Sequence, residues 1–163
     1  MEIKMALCLP RDAASVPVTR RVLDRCLETL GVTPDTRADI ALALSEACAN
    51  VVQHAGPGEE YQVRVSARNR QCVIEVVNAG SGTGTVHGGR GTGQERLGGS
   101  ALADDPVPAT AEDGRGLKII HAVADNMQLT GNERHGTTVH FEKTLQWLPG
   151  AAGQHLLNAD GDS

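Results

Sequence analysis

"LSEACANVVQHA", residues 44–55, is the stretch on which the fold turns. Its surroundings are almost wholly apolar, yet Glu46, Asn50, Gln53 and His54 recur at helical spacing, and Asp39 begins the same stripe upstream. Residues three and four apart on a helix stack on one face, so the Glu46 carboxylate and the Asn50 amide project together. A solvated face of an amphipathic helix is the common explanation of such a stripe. The other is a pocket. No Lys or Arg follows Asp39 within the helix to compensate these groups, and burying a carboxylate against a sheet without a partner is costly.

Two glycine-rich segments favour the pocket. "NAGSGTG" (78–84) follows directly on a strand-like run, and "EDGRGLKII" (112–120) opens directly into a helical one. Glycine lets the backbone approach a ligand closely, and the free N–H groups of a helix N-terminus form a phosphate site. In the second segment Gly114 and Gly116 flank Arg115, whose guanidinium adds charge to such a site or faces solvent.

Working outward, "EIKMALCLP" alternates Ile3, Met5, Leu7 and Leu9 with polar or small residues and ends at Pro10, the pattern of a strand with one buried face. A helix follows, with Ser15 as N-cap, an apolar stripe of Val22, Leu23, Cys26, Leu27 and Leu30, and Gly31 after its end. The second helix is predicted over residues 34–54, capped by Thr33, with Pro34 first, Asp35 at the positive end and Gly56 beyond the last turn. "YQVRVSAR" and "CVIEVVN" read as a hairpin turning at Asn69 and Arg70. Residues 81–113 hold eight glycines and no apolar periodicity, which marks a lid or a disordered segment. A helix through Leu117, Ile120 and Val123 and a last hairpin turning between Gly131 and Gly136 complete the order. That order predicts an α/β two-layer sandwich, with a mixed, mostly antiparallel sheet and helices on one face. The domain is expected over residues 1–148, with a disordered tail over 149–163.

Composition excludes several functions. One Trp, one Tyr and one Phe leave few rings to stack bases, and a net charge of -5 argues against holding a polyanion, so no direct nucleic acid is expected. Cys8, Cys26, Cys48 and Cys72 form no CxxC pair and read as reduced thiols. Neither a signal peptide nor a membrane-spanning run is present, which predicts a soluble, cytoplasmic protein without a membrane. No helical pair of His residues has metal-hydrolase spacing.

Taken in order, "SEACANVVQHA", "VVNAGSG", "GRGLKII" and "HGTTVHF" resemble the N box, the two glycine boxes and the closing Gly-Thr box of the GHKL (Bergerat) ATPase fold. Within that fold, residues 10–143 resemble the RsbW-type anti-sigma factor serine kinases. The resemblance implies ATP and magnesium as cofactors. It implies Glu46 as the general base toward a seryl hydroxyl and Asn50 as the magnesium ligand. Gly114, Arg115, Gly116 and Leu117 would lie at the phosphates, Gly80 and Gly82 would shape the adenine pocket, and Thr137 would floor it. The implied partners are a sigma factor, an anti-anti-sigma protein of the STAS type and a second copy of this chain, for which the first helix offers a face.

The chain departs from the family at Asn78, where the usual residue is an Asp that accepts a hydrogen bond from the adenine amino group. An amide accepts one bond without the charge and also donates, so the departure predicts adenine affinity weakened by about 1 to 2 kcal/mol, or a relaxed choice of base. It also keeps open a second function, a non-catalytic binding module that sequesters a sigma factor or its antagonist. A sensor histidine kinase fits poorly, because no helix with an acceptor His precedes the domain.

Overall fold

Alternation of apolar and polar residues builds the sheet. The computed structural model describes residues 1–54, 60–79, 114–132 and 136–158. Its strands are β1 (Glu2–Pro10), β2 (Glu60–Arg68), β3 (Gln71–Ala79), β4 (Asn126–Asn132) and β5 (Gly136–Thr144). They lie in the order β1-β2-β3-β5-β4, and each neighbouring pair is antiparallel. The sheet is thus antiparallel rather than mixed, because each neighbour pair either turns back through a hairpin or is crossed in the opposite sense.

Register decides which face is apolar. Met5, Val65, Ile74, Phe141 and Met127 form one row across all five strands, while Ala6, Arg64, Glu75, His140 and Gln128 form the next row on the other face. The first row meets the helices α1 (Ser15–Leu30), α2 (Pro34–His54) and α3 (Gly114–Val123). Ile40, Leu44, Cys48 and Val51 of α2 pack here with Val63, Ile74, Val76 and Phe141, all at most 1% exposed. Each such side chain contributes about 1.5 to 3 kcal/mol relative to leaving it in water.

The expected bounds of α2 hold, and those of α1 hold with a different face. Ser15 is the first helical residue and not the cap: its hydroxyl donates to the Asp12 carbonyl at 2.6 Å and meets the Tyr61 hydroxyl at 2.6 Å, while Ala14 stands at the N-cap without a side-chain bond. The buried stripe is therefore Ser15, Thr19, Leu23 and Leu27, and Val22 and Cys26 are exposed. The polar tip of Tyr61 draws the small hydroxyl residues inward and turns the two apolar ones out.

The tail is a second difference. Ala152–Leu157 form a short helix, α4, with Leu157 fully buried. The segment before it is held by backbone bonds from Thr33 to Gln146 (2.9 Å) and from Leu148 to Gly31 (2.8 Å), and the Asn69 N–H donates to the Leu157 carbonyl at 3.1 Å. Small residues make this fit: a Cβ on Gly153 would lie 2.6 Å from the Leu30 carbonyl oxygen. The expected lid, residues 81–113, lies outside the described residues, as do Gly56, the Gly131–Gly136 turn tip at 133–135 and residues 159–163.

Candidate functional site

The polar stripe of α2 divides into two parts with different surroundings. Asp39 accepts an ion pair from Lys143 of β5 at 2.8 Å, and the same ammonium donates to the Val123 carbonyl at the end of α3 at 2.6 Å. Lys143 thus ties α2, α3 and β5 together, and Asp39 belongs to the framework. Sequence reasoning missed this partner; the one local signal is that Lys143 occupies the period-2 position shared by Val139 and Phe141, the face that points toward the helices.

Two turns further along, Glu46 meets the start of α3. Gly116 lies in the first turn of that helix, and a Cβ placed on it would come within 2.9 Å of Glu46 Oε2. Only hydrogen at position 116 leaves the carboxylate its place beside the helix N-terminus, where backbone N–H groups and the helix dipole favour negative charge. Glu46 is half-buried and has neither an ion pair nor a hydrogen bond among the described residues. Asn50, one turn on, is also half-buried, whereas Gln53 is exposed. Arg115 is exposed, Leu117 is half-buried, and Gly114 opens α3.

At the far end of β3, Asn78 follows Cys72, Ile74 and Val76 on the inward face and is 1% exposed. Its register partner on β5 is Thr137, so the amide and the hydroxyl lie side by side on that face. Neither Oδ1 nor Nδ2 of Asn78 has a hydrogen-bond partner among the described residues. Leaving such atoms unpaired in a folded chain costs about 1 to 3 kcal/mol each, so the position calls for a partner that the described residues do not supply. Gly80 and Gly82 fall outside the described residues, and so does the side chain of His54.

The residues present fit a nucleotide with its metal. An orphaned buried amide suits a base edge, and a glycine-opened helix beside a carboxylate suits phosphate chemistry. Among the described residues no group of three or more His, Cys, Asp or Glu converges as a metal cage. Magnesium needs none, since it keeps most of its waters and takes one or two protein oxygens beside phosphate.

The match to a family follows the same segments. The chain belongs to the histidine kinase-like ATPase domain family, whose model matches residues 9–143, and its fold is the GHKL ATPase fold. The serine-protein kinase RsbW of Bacillus mycoides (strain KBAB4) is 27% identical over 143 residues, spanning 88% of this chain and 86% of that protein. The RsbW of Bacillus cereus (strain ATCC 10987) matches over the same span at the same 27%. Among solved structures, that of the RsbU and RsbW domains of a Mycobacterium tuberculosis protein aligns with a TM-score of 0.61 at 17% identity. This chain covers 32% of that one, and the likeness speaks for the fold.

Proposed function

We propose that this chain is an ATP-dependent serine kinase of the anti-sigma type, acting on an anti-anti-sigma protein of the STAS class and so setting how much sigma factor is free. The observation that carries it is Glu46, half-buried and unpartnered among the described residues, held against Gly116 at the start of α3. When bound, ATP supplies the transferable phosphoryl group and magnesium the countercharge. Glu46 would take the proton from the seryl hydroxyl, whose oxygen gains the phosphoryl group as ADP leaves with the bridging oxygen, the task of a carboxylate within hydrogen-bond reach of a nucleophile. Asn50 would offer its amide oxygen to the metal. Gly114, Arg115, Gly116 and Leu117 would hold the phosphates, while Asn78, Gly80, Gly82 and Thr137 are the residues that would meet the base.

The family match and the RsbW relatives support the same direction. For protein partners, α1 exposes Val18 and Val22 one turn apart, 55% and 37% accessible, a face suited to a second copy of this chain or to the sigma factor. Among the described residues no helix is long and apolar enough to cross a membrane, in keeping with a cytoplasmic place of action. One observation favours a second function: Asn78 stands where a carboxylate would bind adenine more strongly, as in a module that sequesters its partner without phosphorylating it.

Calorimetric titration with ATP and magnesium separates the two. The kinase requires saturable binding that Asn50→Ala weakens by about tenfold or more, and phosphotransfer to a STAS protein that Glu46→Gln lowers by roughly 10²-fold to 10⁴-fold. Absence of binding at millimolar nucleotide would sink the kinase and leave sequestration, to be followed by sigma-factor pull-down.

A further inference from the structure

Asn78 is buried to 1% exposure, yet both ends of its amide are unpaired among the described residues. A single unpaired atom is met by one donor or one acceptor. Two unpaired atoms on the same planar group call for a ligand edge that presents a donor and an acceptor side by side, which is how amides read bases. The rest of the inward surface does not compete: Val76 and Val139 next to it are apolar, and Thr137 is its direct neighbour across the strand pair.

We propose that Asn78 makes the base site of this protein accept 6-oxopurine nucleotides, guanine and hypoxanthine, as well as adenine nucleotides. Adenine shows an amino donor beside the N1 acceptor. A 6-oxopurine shows the reverse, a carbonyl acceptor beside an N1–H donor. A carboxylate at position 78 only accepts, so it pairs with the adenine amino group and repels the carbonyl of a 6-oxopurine. An amide exchanges its donor and acceptor by turning over about its last torsion, which is broad and two-fold, and O and NH2 are close in size. Either purine edge is then met by two bonds with no change in packing.

This inference rests on the nucleotide-binding function proposed above and deepens it. The test is competitive titration of the full chain with the magnesium complexes of ATP, inosine triphosphate and the triphosphate of unsubstituted purine riboside. Inosine triphosphate carries the 6-oxo edge without the bulk of the guanine 2-amino group. The proposal expects ATP and inosine triphosphate to bind within about tenfold of each other, and the unsubstituted purine, one bond short, to bind about tenfold more weakly than either. Asn78→Asp should weaken inosine triphosphate by at least about tenfold while ATP binds as well or better. A wild-type preference for ATP of roughly 100-fold or more over inosine triphosphate overturns the proposal and leaves the nucleotide site standing. An Asn78→Asp variant that folds and keeps the wild-type ratio also overturns it. Where that variant does not fold, the wild-type ratios decide alone. If no nucleotide binds at millimolar concentration, the site itself is refuted, and the proposal with it.

Discussion

Glu46 and Gly116 illustrate how one hydrogen atom in place of a methyl group sets a site. The carboxylate oxygen lies 2.9 Å from where a Cβ at position 116 would stand, and it is the far end of a flexible side chain. Gly116→Ala therefore displaces Glu46 without breaking the core, and the gain of helix propensity from Gly to Ala, up to about 1 kcal/mol, offsets part of the strain. The expected outcome is a thermal midpoint within a few degrees of wild type and phosphotransfer reduced by roughly 10²-fold, the penalty for a reacting group misplaced by about 1 Å. A loss of folding with no separate loss of activity would show that Gly116 serves packing alone. Asn78 follows the same logic from the opposite side, a residue whose identity matters because its neighbours leave both of its polar atoms free.

At the scale of elements, α4 shows how a short segment becomes ordered by docking. Six residues are too few to form a stable helix in isolation. Here Leu157 enters the core at 0% exposure, and the preceding chain bridges from Val32 to Trp147 across the end of α1. Gly31 takes the left-handed conformation (φ 84°) that turns the chain from α1 toward α2 beside Ala151, where the close approach leaves no room for a Cβ. Leu157→Ala should therefore cost about 2 to 4 kcal/mol of stability, read as a lower urea midpoint with an unchanged slope. A change below about 0.5 kcal/mol, the range of ordinary surface substitutions, would mean that the strap is not part of the cooperative unit. The segment lies beyond residue 143, where the family match ends.

Across the whole molecule the four cysteines report the layering. Cys48 of α2 and Cys72 of β3 are buried between the layers, and burial pushes both thiols up to about 12, while Cys8 and Cys26 are exposed. Thiol reagents near neutral pH should label Cys8 and Cys26 in the folded protein and reach Cys48 and Cys72 only on unfolding. Burial, with the Glu60 carboxylate beside it, raises the Cys8 thiol as well, so Cys8 should react more slowly than an unhindered thiol. The buried pair also sets a pH dependence. The folded state keeps both protons up to about 12, whereas the unfolded chain releases them near 9. Stability must then fall as pH rises from 9 toward 12, by up to about 1.4 kcal/mol per pH unit for each thiol. Urea midpoints across that window, compared with a Cys48→Ala, Cys72→Ala double variant that lacks the effect, check the sign.

Much of this was legible in the sequence, since periodicity, caps and glycine positions act over a few residues. The five strands, the bounds of α2 and the opening of α3 at Gly114 all follow from such local patterns, while the approach of Glu46 to the second glycine segment was implied only by the family resemblance. Side-chain partners distant along the chain were decided by the tertiary structure. Lys143 finds Asp39 across 104 positions, and Tyr61 turns α1 through Ser15 across 46. Leu157 orders a tail that composition marks as disordered. The amide of Asn78 is present in the sequence, but only the closing of β5 against β3 shows that no group among the described residues reaches it. Local chemistry thus determined which elements form and which residues carry chemical capacity. Burial and pairing across the sheet, which depend on contacts between remote segments, decided which of those residues are satisfied by the fold and which are left to bind.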